Sequence, residues 1–351
     1  MRTRTERNKE KKRKKWAKVI GIIVLIILLL ILIAGGLVYW YIHNKLGKMN
    51  KVTINEDDLD INSAVEEKLS GYRNIAIFAI DSREDDYGKG NRSDGIIIAT
   101  INNSTKEVRL TSVYRDTYAQ IEGHGLDKIT HAYSYGEAPL AISTLNTNLD
   151  LNIKEFATVN FDSVIDIVNA LDGVEINIES ESELKYVNDY ISATSTSSGV
   201  SSPKLTRTGR QTLNGVQAVA YARVRYTAGG DYKRTERMRN VIMATAEKLK
   251  TRSVSEINKF LDVALPKIYT NISTNEIISM VPNALNYKIT GSIGWPYNVK
   301  GITIDRWYGV PVTLESNVKK LHQEIFGEAD YEPTATVKEI SDKIIKKTGY
   351  Q

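Results

Sequence analysis

Ile75-Ala-Ile-Phe-Ala-Ile80 runs straight into Asp81-Ser82-Arg83, and Arg92-Ser93-Asp94 runs straight into Gly95-Ile-Ile-Ile-Ala-Thr-Ile101. Short unbroken apolar runs, rich in β-branched isoleucine and bounded by polar residues, are the pattern of strands buried on both faces. A third run, Val108 to Val113, ends just before Arg115-Asp116. Further along, Ala138 to Leu149 reads as a helix and Phe156 to Phe161 as a short strand. Phe161, Val164, Ile165, Val168 and Leu171 then recur at helical spacing until Asp172-Gly173 closes that helix. Val174 to Ile178 is strand-like, and Arg234 to Lys250 is a strong helix. Strands alternating with helices predict an α/β fold, a mixed central sheet flanked by helices in an α/β sandwich. Residues 188–203, rich in Ser, Thr and Gly, read as a mobile surface loop. Weaker helices are expected over Asn275 to Leu285 and Leu314 to Phe326. A short amphipathic tail helix carrying Val337, Ile340, Ile344 and Ile345 follows Pro333.

Outward from this core, the other end of the chain has a different character. Val19 to Tyr41 is a run of 23 uncharged, mostly aliphatic residues, long enough to cross a hydrocarbon core of about 30 Å. It is longer than a cleaved signal's apolar core, and Tyr39, Trp40 and Tyr41 resemble an interfacial belt. Residues 1–18 hold ten Lys and Arg against Glu6 and Glu10. The whole chain is +5, so the other 333 residues carry a net −3. The basic block therefore sets topology, with the N-terminus in the cytoplasm and everything after about residue 43 outside. It gives no ground for a nucleic-acid partner, and eighteen residues are too few for a DNA-binding domain. The expected organisation is a cytoplasmic tail (1–18), a transmembrane helix (19–42), a polar stalk (43–71), a catalytic domain (72–330) and a tail helix (331–351). The chain has no cysteine, which removes disulfides and thiolate chemistry, and with only four histidines zinc is not expected.

Three clusters carry chemistry. Asp81, Arg83, Arg92 and Asp94 come together where the first two strands meet. Magnesium takes one or two carboxylates plus phosphate oxygens, and arginine's planar fork matches phosphate; ordinary loop salt bridges are the competing reading. Arg115-Asp116 follows the third strand, where ligands of open α/β sheets gather. Arg223 and Arg225, two apart on an extended segment, would share one face. After the Gly229-Gly230-Asp231 turn, Arg234 and Arg237 follow at i, i+3. Four arginines aimed one way repel each other unless an anion or carboxylates neutralise them, and a diphosphate suits them; a solvated basic face is the alternative. His131 is either a general base or a packed histidine.

Together these segments resemble the LytR-CpsA-Psr family over about residues 72–330. The resemblance rests on Ile80-Asp81-Ser82-Arg83, Arg92-Ser93-Asp94, Thr111 to Thr117, His131 to Gly136, Leu171-Asp172-Gly173-Val174, Leu213-Asn214-Gly215, Ala220 to Arg225, Gly230 to Arg234 and Thr270-Asn271. It implies a membrane-anchored phosphotransferase of the LCP-type fold. Such an enzyme moves a phospho-glycopolymer, wall teichoic acid or capsular polysaccharide, from a polyprenyl pyrophosphate carrier onto a peptidoglycan hydroxyl. A prenyl pyrophosphate hydrolase and a non-enzymatic envelope regulator are the alternatives. By similarity Asp81 and Asp94 hold Mg²⁺ (or Mn²⁺). Arg83, Arg92, Arg115, Arg223 and Arg225 grip the pyrophosphate with Arg234 and Arg237, Asp231 organises the arginines, and Asp81 deprotonates the acceptor. Ala79, Tyr114, Thr130, Glu137 and Met238 depart from the family's usual Gly, Pro, Asn, Gly and Gln.

Overall fold

The computed structural model describes residue 36 and residues 39–82, 86–227, 229–280 and 286–351. Most of the expected transmembrane run therefore lies outside the described residues, as do Arg83 and the last five positions of the 275–285 helix. Among the described residues no helix is long and apolar enough to cross a membrane. The chain divides into two units, Met1–Lys48 and Met49–Gln351; in the first, residues 39–46 are helical.

The second unit is built on a seven-stranded mixed sheet. Its strands are β1 (Asn50–Lys51), β2 (Tyr72–Ile80), β3 (Ser93–Asn102), β4 (Glu107–Val113), β5 (Glu155–Asn160), β6 (Tyr269–Thr270) and β7 (Lys288–Trp295). Their spatial order is β1-β6-β5-β2-β3-β4-β7. The central pairs β2–β3 and β3–β4 are antiparallel, while β5 runs parallel to β2 and β7 parallel to β4. The isoleucine runs serve both faces, because successive side chains of a strand point to opposite sides. Ala76, Phe78, Ile80, Ile96 and Ile98 face one helical layer, and Ile97, Ala99 and Leu110 face the other.

Ten helices of this unit are α1 (Ser63–Lys68), α2 (His131–Leu149), α3 (Phe161–Asn169), α4 (Glu181–Ser198), α5 (Gly215–Arg223), α6 (Gly230–Lys250), α7 (Val254–Ala264), α8 (Thr274–Met280), α9 (Leu314–Phe326) and α10 (Ala335–Thr348). The first face of the sheet is covered by α2, α9 and α10, and the second by α3, α4, α5 and α6. Residues 49–71 are no polar spacer. They supply strand β1 and bury Leu59, Val65 and Leu69 in the core. Val174–Ile178 is a strand, but it pairs with Gly209–Leu213 in a separate two-stranded antiparallel sheet.

Residues 188–198 are helical, against the loop expected from their composition. Ser180 caps α4 by accepting from the Glu183 amide, and Gly199 closes it in the left-handed region at φ 70. Leu184, Val187, Ile191 and Thr194 are buried along it. Its hydroxyls turn back onto the helix instead of competing with it: Thr196 donates to the Ser192 carbonyl and Ser198 to that of Thr194. Burial of one apolar stripe outweighs weak helix propensity here.

Candidate active site

The site grows from a register slip. Ala79 pairs with Gly95, but Ile80 pairs with Ser93, which leaves Asp94 as an extra residue on β3. Such a bulge bends the strand and re-aims a side chain. Gly95 lets the sheet close behind it. A Cβ at that position would lie 3.0 Å from both the Ala79 Cβ and the Met238 Sδ. Asp81 leaves the adjacent end of β2 exposed to solvent. Strand β4 runs antiparallel to β3 with Val113 opposite Ile96, so Arg115 arrives at the same edge.

Asp94, buried, is where the basic side chains converge. Arg115 donates to it through Nη1 at 2.5 Å and Arg225 through Nη2 at 3.4 Å. Arg234 donates to the Asp94 carbonyl oxygen at 3.2 Å and is paired with Asp231 at 2.9 Å. Asp81, Asp94, Arg223, Arg225 and Arg234, with Phe161, Tyr190 and Met238, line a cavity of about 190 Å³. Phe161, the first residue of the apolar helical pattern, is thus part of the wall. Residues 81, 94, 223, 225 and 234, scattered along the chain, share one concavity.

Helix α5 brings in Arg223, and here the expected extended segment is corrected. Arg223 is the last helical residue, and only Val224, at φ −58 and ψ 127, turns extended. Asn214 and Gln217 form a capping box at the start of α5. Gly215 lets it press on α3, since a Cβ there would come within 2.2 Å of the Ile165 carbonyl oxygen. Arg223 reaches the Thr194 hydroxyl at 3.3 Å, with its guanidinium 5.1 Å over the Phe161 ring.

Arg237 does not line the cavity. It is buried, donating through Nε to Glu183 at 2.7 Å, through Nη1 to the Val224 carbonyl at 3.2 Å and through Nη2 to Thr227 at 2.7 Å. Its donors hold the segment that carries Arg225. The i, i+3 spacing from Arg234 carried no sign of this, because the partner Glu183 is remote in sequence. Arg92 is exposed and outside the cavity wall. His131 packs against Asp127 at 2.8 Å, and Tyr135 donates to the same carboxylate. Asp116, of the Arg115-Asp116 pair, and Lys128, which no motif singled out, brace Arg115 from behind: Lys128 binds Asp116 at 2.6 Å, and Asp116 lies 3.5 Å from Arg115 Nε.

Burial sets the electrostatics. It pushes the Asp231 carboxyl up, against the pull of Arg234 and Arg115, and pulls the Arg234 guanidinium down, opposed by Asp231. Arg115 is pulled down by burial too, but Asp94 and Asp116 more than offset this and hold it above its ordinary value. Arg234 Nε and Asp231 Oδ2 are buried with no hydrogen-bond partner among the described residues, which is spare polar capacity inside an arginine-rich cluster. As for a cation, Asp81 and Asp94 present hard oxygen donors to one cavity, and two carboxylates completed by water and phosphate oxygens suit Mg²⁺.

The sequence matches the LytR_cpsA_psr family over residues 37–322. A curated relative from Enterococcus faecalis, the polyisoprenyl-teichoic acid–peptidoglycan teichoic acid transferase TagU, is 31% identical over 257 residues, covering 72% of this chain and 77% of its own length. The TagU transferase of Oceanobacillus iheyensis is 30% identical over 348 residues, 93% of this chain and 98% of that protein. Among solved structures, the LytR-CPS2A-psr family protein YwtF (TagT) of Bacillus subtilis, with bound octaprenyl pyrophosphate lipid, aligns at a TM-score of 0.55. Its identity is 23%, over 75% of this chain and 92% of that one; the fold is shared.

Proposed function

The chain belongs to the LytR_cpsA_psr family, and from that premise we propose that it transfers a teichoic-acid-type phospho-glycopolymer from a polyprenyl pyrophosphate carrier to a peptidoglycan hydroxyl. The observation that carries the reading is the gathering of Arg115, Arg225 and Arg234 on Asp94 beside Asp81 and Arg223. Residues spread across the sequence form a small polar cavity of the kind a diphosphate needs. Curated relatives bear the transferase name, and the TagT structure holds octaprenyl pyrophosphate.

In the reaction the acceptor hydroxyl oxygen attacks the phosphorus that bears the glycan. The bond from that phosphorus to the bridging oxygen breaks, and prenyl phosphate leaves. Arg223, Arg225 and Arg234 neutralise charge building on the phosphate oxygens, which is most of what phosphoryl transfer asks of a protein. Arg115 holds Asp94 in place. Asp81, the exposed carboxylate of the cavity, takes the hydroxyl proton. Asp81 and Asp94 would hold Mg²⁺ or Mn²⁺, which when bound supplies further neutralisation of the pyrophosphate. Residues 19–42 anchor the enzyme with residues 1–18 in the cytoplasm and the catalytic unit outside, facing both lipid carrier and wall.

Purified full chain given lipid-linked donor, with and without peptidoglycan, tests the reading. Glycopolymer joined to peptidoglycan supports it. Free phospho-glycopolymer released equally in both arms would make the protein a pyrophosphate hydrolase. No turnover in either arm would favour a regulatory role.

A further inference from the structure

A group of aromatic rings adjoins the cavity through Tyr190, one of its lining residues. Tyr186 and Tyr190 lie one turn apart on α4, and Tyr226 follows Arg225. The Tyr226 ring is 6.0 Å from that of Tyr186 and 6.4 Å from that of Tyr190, tilted by 40° and 36°. Tyr190 joins this group to the cavity, for it lines the wall and lies 6.0 Å from the Arg223 guanidinium. Tyr226 is 70% exposed, a large ring face turned to water at the mouth of a charged pocket. Singly exposed apolar residues need no explanation, but several aromatic rings clustered at a cavity mouth mark a binding surface.

We propose that Tyr186, Tyr190 and Tyr226 form a platform for the first pyranose of the donor, the sugar bonded directly to the pyrophosphate. The inference rests on the pyrophosphate reading above. Two groups leave the diphosphate in opposite senses, an isoprenoid and a sugar. The isoprenoid needs a wholly apolar wall, and Phe161 and Met238 begin one, since both pack with the aliphatic core between the sheet and helices α3 to α6. The tyrosine group offers a hydrated mixed surface: apolar ring faces for the C–H bonds of a pyranose, and hydroxyls for its edge. A sugar bonded to the second phosphate lies next to the cavity, and Tyr190, which lines the wall, carries the platform to that edge. It contributes sugar selectivity that cationic side chains, blind to the glycan, cannot supply.

Binding of two probes to the full chain in detergent tests this: octaprenyl pyrophosphate, and the same lipid carrying one N-acetylhexosamine on its terminal phosphate. Tyr226→Ala should weaken the sugar-bearing probe about tenfold and leave octaprenyl pyrophosphate within about twofold, while Tyr226→Phe restores the difference. Equal weakening of both probes, or of neither, overturns the platform while the pyrophosphate reading stands. Wild-type protein that binds neither probe overturns the pyrophosphate reading and the platform together.

Discussion

Arg115 and Arg237 are both paired to buried carboxylates, yet their surroundings give them opposite tasks. Arg115 sits at a strand end with its side chain 17% exposed, and its partner Asp94 keeps Arg225 and Arg234 when it is lost. Arg115→Ala should therefore leave thermal unfolding nearly unchanged and slow transfer by about 10²-fold, because Asp94 loses a donor that positions it in the cavity. Near-normal turnover of the folded variant would remove it from the machinery. Arg237 is 2% exposed against a Glu183 side chain that is 3% exposed. Arg237→Ala strands that carboxylate in the interior, at a cost of about 3–5 kcal/mol. Replacing both partners, Glu183→Leu with Arg237→Met, should recover most of the stability in denaturant titrations. Transfer should stay impaired, since the Val224 carbonyl and Thr227 hydroxyl still lack their donor. If the single and double variants were equally unstable, the pair would not be what matters at this position.

Helix α2 shows how a departure in sequence becomes strain in an element. Glu137 stands where the family often has a second glycine, and it adopts φ 58 and ψ −154 inside α2, next to Gly136 at φ −143. That region is nearly closed to residues with a Cβ and costs about 1–3 kcal/mol. Glu137→Gly should thus raise stability by about 1 kcal/mol after allowing for glycine's looser unfolded chain, read as a higher unfolding midpoint with unchanged slope. A lower midpoint would mean that the Glu137 side chain makes a compensating contact. The two isoleucine strands, the strand that ends at Val113 and the helix at 314–326 were legible because burial on one or two faces writes itself as local period. Helix α4 was not, since its Ser and Thr composition speaks for a loop and only its partners make it helical. Likewise the strand bulge that aims Asp94, the helical end that presents Arg223 and the Glu183–Arg237 pair depend on neighbours remote in sequence. The arginines themselves were visible as clusters, and which ones meet was not.

Over the whole molecule, the sheet's first face is closed by the last residues of the chain, beyond the span of the family match. Val337, Ile340 and Ile344 of α10 are buried with Tyr331 in the main core. His322 of α9 ties this layer to α2. It is fully buried, bonds the Leu149 carbonyl through Nε2 at 3.1 Å and stacks on Tyr331 at 3.6 Å. Burial pushes its imidazole down from 6.5 to about 4. Glu328, 3.4 Å away, is itself pushed up by burial, which weakens it as a counter-ion as pH falls. The unfolded chain thus takes up a proton near pH 6.5 that the folded chain refuses until about pH 4. Stability is complete above pH 6.5 and is lost as pH falls toward 4, by about 3 kcal/mol in all. Urea unfolding at pH 7.5 and pH 5 should show this decline in the wild type and a shallower one in His322→Gln, whose amide still bonds the Leu149 carbonyl. Parallel declines in the two proteins would place the acid sensitivity in a carboxylate that the fold holds down, such as Asp127 with its His131 and Tyr135 partners, whereas burial raises Asp150 and Asp231 and so favours the folded state as pH falls. The two kinds of group predict slopes of opposite sign, so the direction of the residual slope in His322→Gln identifies which of them remains.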